Sequence, residues 1–134
     1  MERLQRAARR MGRTPSETAA ILIDEATRQL EFANIEFRDS IVGRQAYVRG
    51  SRVAVWQVAM LARDFDGVPG DVAKHLEWNV DRVKSALAYA AAFPDEIHHA
   101  IEDNRRYDFQ EVSRQLPTAE KLIIKARRAQ PPAR

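Results

Sequence analysis

Asp95, Glu96, His98, His99, Glu102 and Asp103 form the densest set of groups in the sequence that could hold a metal or move a proton. His98 with Glu102, and His99 with Asp103, stand four residues apart, a spacing that puts two side chains on one helix face. Adjacent helical residues point about 100° apart, so the two pairs face different ways and cannot easily share an ion. The spacing predicts surface ion pairs and no metal. The sequence has no Gly-rich phosphate loop and no nucleophile in a recognisable setting. It has no cysteine, which rules out thiol catalysis, disulfides and cysteine-based zinc, and suits a reducing cytoplasm. The remaining acids lack the spacing of a nuclease centre. These observations predict a binding protein without a cofactor rather than an enzyme.

Two sets of residues could carry that binding. In Arg49-Gly50-Ser51-Arg52, a Gly-Ser turn can leave backbone N–H groups free to meet phosphate, with an arginine on either side. The other reading of the same residues has Arg52 folding back onto Asp39 or Asp95 to lock the turn. The second set, Asn79, Arg82 and Lys84, opens a helical segment; Asn can pair with adenine and Arg with guanine in a major groove. Its alternative is an ordinary solvated helix face, which the net charge of −1 over residues 66–93 favours.

Positioning these groups requires elements that the spacing also predicts. Leu4, Ala7, Ala8 and Met11 make one apolar stripe of a short helix closed by Gly12. Thr14-Pro15-Ser16-Glu17 is a capping box opening a second helix to about Leu30, which should bury Ala20, Ile21 and Ile23. Two helices this small cannot bury a core alone, so a second chain or the rest of the protein must cover them. Leu4, Ala8, Met11 and Ile21 are the expected seam of a homodimer. Residues 46–48 and 52–55 read as a β-hairpin, or as two short extended segments, around Gly50. Val55, Val58, Ala59, Ala62 and Phe65 share a helix face; a short helix follows from Asp71 to Glu77. Asn79 then caps a helix over Val80–Phe93 whose apolar face is Val83, Leu87 and Ala90. Pro94 begins a further segment reaching Asn104, and Trp56, Trp78, Tyr47 and Phe93 belong to the core.

The fold expected is therefore mainly α: an N-terminal helix pair (1–31), a short β-hairpin and a three-helix, helix-turn-helix core (32–112), and a basic tail (113–134). Charge alternates along the chain: +4 over residues 1–13, −4 over 14–40, +3 over 41–65, −4 over 94–112 and +5 over the tail. No apolar run reaches the roughly 20 residues of a membrane span, and the basic N-terminus lacks a signal-peptide core. A cytoplasmic protein with a nucleic-acid partner and no membrane partner fits this pattern.

Residues 43–101, with GRQAYVRGSRVAVWQVAMLARDF and VAKHLEWNVDRVKSALAYAAAFPDEI, resemble the domain of unknown function 433 family. The likeness rests on a Gly, a short strand, a Gly-Ser-Arg turn where that family has Gly-Thr-Arg, a Val before a helix, and a helix ending in Tyr89 followed by Glu96. Residues 3–30 resemble the two helices of ribbon-helix-helix proteins, although only Met1-Glu2-Arg3 stand where the DNA-reading strand would precede Leu4. The first resemblance implies a homeodomain-like fold and an antitoxin acting beside a nuclease toxin of the PIN type; the second implies a dimer. Such a toxin's acidic, metal-holding site would suit the cationic tail, with Leu116, Leu122 and Ile123 as anchors and Lys121, Lys125, Arg127 and Arg128 facing the acids. Operator DNA is the second implied partner. A stand-alone transcriptional regulator and a protein-binding scaffold are the competing functions.

Overall fold

The structure is a computed structural model that describes residues 1–115. Its order is α1 (Glu2–Met11), α2 (Pro15–Glu31), β1 (Ile35–Ser40), β2 (Gly43–Val48), α3 (Val55–Asp64), α4 (Pro69–Leu76), α5 (Val80–Ala92) and α6 (Pro94–Gln115). The mainly helical class with one short hairpin agrees with the sequence reading.

Local signals set the helix ends. Gly12 takes the left-handed conformation (φ 65°) and closes α1. The Thr14 hydroxyl accepts from the Glu17 N–H at 3.2 Å, and the Glu17 carboxylate accepts from the Thr14 N–H at 3.0 Å, a complete capping box. The Thr14 N–H, and then the Thr14 hydroxyl, which also donates to the Glu17 carboxylate at 3.1 Å, hold that carboxyl below the usual carboxylate range. Asn79 caps α5 by accepting from the Asp81 N–H at 2.9 Å.

The hairpin lies upstream of where the sequence suggests it. β1 and β2 pair antiparallel, Ile35 opposite Val48 and Phe37 opposite Ala46. These four residues share the inner face. The turn is Ile41-Val42, two apolar residues in place of the usual Asn-Gly, held by the Ser40 hydroxyl and by Gly43 at φ 118°. The Gly50 bend is real (φ 75°), but beyond it only Tyr47 and Ala54 form a bridge before α3 begins.

The core gathers Ile35, Val48, Val55, Val58, Val72, Val83, Ala86, Tyr89, Ile97 and Ile101 between the hairpin and α3–α6. Trp56, Trp78 and Phe93 pack against it as expected. Tyr47 does not; it lies on the outer face under the Arg38 guanidinium, 4.9 Å from the ring centre. The α5 face is turned from the expected one: Val83, Ala86 and Tyr89 are buried, while Leu87 and Ala90 are only partly so. α6 runs past Asn104 to Gln115.

α2 departs furthest from expectation. Its buried residues are Thr18 and Glu25, with Ile21 and Arg28 half-buried, whereas Ile23 is 68% and Leu30 91% exposed. The inward face tolerates charge because each charge is met: Arg44 forks onto Glu25 (3.0 and 2.5 Å), and Arg28 reaches Tyr89 and Glu96.

Candidate nucleic-acid interface

The 49–52 turn and the start of α5 meet in space. The Arg82 Nη2 donates to the Arg49 carbonyl at 2.7 Å, and its guanidinium lies over Trp78, 4.4 Å from the ring centre. Asn34, in the left-handed region at φ 63°, adds a second tie: its side-chain amide donates to the Ser85 hydroxyl (3.3 Å), and its carbonyl accepts from the Arg49 N–H (2.7 Å). Two basic segments some thirty residues apart in sequence thus form one surface.

The turn's own groups are largely used within the chain. The Arg49, Gly50 and Ser51 N–H groups donate to the Asn34 carbonyl, the Glu36 carboxylate and the Val48 carbonyl. The Ser51 hydroxyl donates to Val48 O at 2.8 Å and accepts from the Val53 N–H at 3.1 Å. The expectation that these N–H groups stay free for phosphate is therefore corrected: the bend is closed by its own hydrogen bonds, with Glu36 as an added acceptor. No local feature of the sequence points to Glu36, which is brought to Gly50 by strand pairing. Its hydrogen bond from Arg38, then the Gly50 N–H, hold its carboxyl below the usual range.

The side chains divide between anchors and free cations. Asn79 caps α5 and Arg82 pins the turn, so both have structural work. Arg49 is exposed and also donates to the Ile35 carbonyl at 3.3 Å. Arg52 and Lys84 are exposed, and among the described residues neither has an ion-pair partner. Arg52 does not fold onto Asp39, which pairs with Arg44 instead. Arg49, Arg52 and Lys84 are the exposed cations of this surface.

The other sequence candidates lie elsewhere. Ala8 is 2% exposed within the single chain, and Leu4, Met11 and Ile21 are half-buried. Leu116, Lys121, Leu122, Ile123, Lys125, Arg127 and Arg128 lie outside the described residues. His98 stands 3.5 Å from Glu102, and the two histidine rings lie 6.4 Å apart. Among the described residues no group of three or more His, Cys, Asp or Glu could hold a metal ion, and no helix is long and apolar enough to cross a membrane. A cleft of about 660 Å³ opens between α2, the hairpin and α6, but Arg28, Arg44, Glu25 and Glu96 on its walls are bonded to one another or to Tyr89. Compared with known proteins, no family model, no curated protein and no solved structure matches this chain.

Proposed function

We propose that the chain is a non-catalytic cytoplasmic antitoxin that binds operator DNA, acts as a homodimer and neutralises a PIN-type nuclease toxin through its tail. In this reading α3, α4 and α5 are a homeodomain-like core, and α4, the Glu77-Trp78-Asn79 connection and α5 are a helix-turn-helix. The observation that supports it is the junction of Arg82 with the Arg49 carbonyl, which sets the exposed Arg49, Arg52 and Lys84 beside the start of α5. Phosphate contacts of that kind fix a protein's position on duplex DNA without reading sequence.

Co-expression with the product of the neighbouring gene tests the toxin half. The reading expects a stable complex and relief of that product's growth arrest, both lost on deletion of residues 113–134. A neighbour that neither arrests growth nor co-purifies removes the toxin and leaves a stand-alone regulator.

A further inference from the structure

Five of the chain's arginines fall within its first thirteen residues, and the dimer seam and the turn explain none of them. In α1, Leu4, Ala7, Ala8 and Met11 take one face, with Ala8 fully packed. Arg3, Arg6, Arg9 and Arg10 take the opposite face, and all four are exposed. Arg3 with Arg6, Arg6 with Arg9, and Arg6 with Arg10 are like-charge neighbours at helical spacing, an arrangement that disfavours the helix. Arg3 also sits in the first turn, where the helix dipole disfavours a cation. Among the described residues the one carboxylate that answers them is Glu2, 3.6 Å from Arg6 with both side chains mostly exposed, a pair of little worth. Arg3, Arg9 and Arg10 have no ion-pair partner among the described residues. Arg9 and Arg10 gain from the helix dipole in the last turn, but Arg3 and the like-charge spacing work against the helix, and three of the four arginines meet no anion among the described residues; such a face suits an anion outside the chain.

We infer that this arginine face of α1 is a second phosphate-binding surface, which grips the backbone of duplex nucleic acid without reading its bases. Guanidinium groups clamp phosphate oxygens in pairs, which ammonium groups cannot do. The four span about 10 Å of helix, a length over which duplex DNA presents about six charges. A lipid surface fits less well, because a membrane-binding helix must expose its apolar face and α1 packs that face toward α2. The inference rests on the nucleic-acid half of the reading above and extends it to a different element.

The test titrates the full chain against a random-sequence duplex of roughly 20 bp at roughly 50 and 200 mM salt. Arg3, Arg6, Arg9 and Arg10 are changed to Gln in one variant, and Arg49 and Arg52 to Gln in another. The α1 variant should lower the salt slope by about 0.9 for each arginine, so that wild-type affinity falls about 100-fold more than the variant's across that range. Its melting temperature should not fall, since all four side chains are exposed and the Arg6–Glu2 pair is a surface one. If the fourfold variant fails to fold, the double variants Arg3→Gln/Arg6→Gln and Arg9→Gln/Arg10→Gln should each show half the effect. An α1 variant that matches wild type in affinity and slope overturns the inference; if the turn variant is then the weaker one, the DNA reading stands without α1. A wild type that does not bind duplex at the lower salt overturns both.

Discussion

Tyr89 shows how one residue ties three elements together. Its ring is fully buried among Phe32, Phe37 and Phe93, with centres 5.4, 6.1 and 4.8 Å away. Its hydroxyl accepts from the Arg28 Nη1 at 2.7 Å and donates to the Glu96 carboxylate, joining α5 to α2 and α6. Burial first, and then the bond to Glu96, push the phenol's pKa above its ordinary value. A raised folded-state value gives stability that is present below the unfolded phenol's pKa of about 10 and is lost as pH rises above it. We predict an alkaline unfolding in which a phenolate step coincides with loss of helical signal, and a Tyr89→Phe protein that lacks that step. Ionisation of Tyr89 well before the helices melt would contradict the account.

At the scale of elements, caps were the most legible feature of the sequence and pairings the least. Gly12, the Thr14–Glu17 box and Asn79 act within three residues of their own positions, so their residue types reveal them. The buried face of α2 could not be read this way. Glu25 and Arg28 look like solvent residues until their partners, 19 to 68 positions away, are brought to them. The hairpin's place is hidden for a related reason: Ile41-Val42 carries no turn signal, while Gly50 carries a strong one for a bend that makes a single bridge. The site was half legible. Its residue types were visible, but not the roles of Asn79 and Arg82 as cap and pin. Those roles make a prediction. Asn79→Ala should destabilise the protein by about 1 kcal/mol through loss of the cap, whereas Asn79→Asp should keep it. Thermal melting of both variants checks this, and equal stability would show that the cap contributes nothing.

Considered as a whole molecule, the chain leaves apolar side chains of α2 uncovered, with Ile23 and Leu30 on one side of the helix. Leu22 and Ile23 are 37% and 68% exposed, and Leu30 is 91% exposed. Ala8, assigned to a dimer seam from its spacing, is already used between α1 and α2. If the chain pairs with a second copy as proposed, the exposed Ile23 and Leu30 of α2 are the apolar side chains left to meet it. Light scattering at micromolar concentration should give about twice the chain mass of 15.3 kDa. Ile23→Asp with Leu30→Asp should give a folded monomer whose melting temperature does not change with concentration, because both side chains are exposed in the single chain. A wild-type monomer would remove the dimer.

We propose that the turn and the start of α5 form a DNA-binding surface. The most direct measurement is the affinity of the full chain for the duplex upstream of its own gene, alongside a scrambled duplex, at two salt concentrations. Binding to both should weaken steeply with salt and be tighter on the upstream duplex, and Arg49→Ala/Arg52→Ala should lose affinity in parallel on both, with at most the small fall in melting temperature that loss of the Arg49–Ile35 hydrogen bond brings. No binding at low salt, or an arginine variant that changes stability while leaving affinity intact, would contradict it.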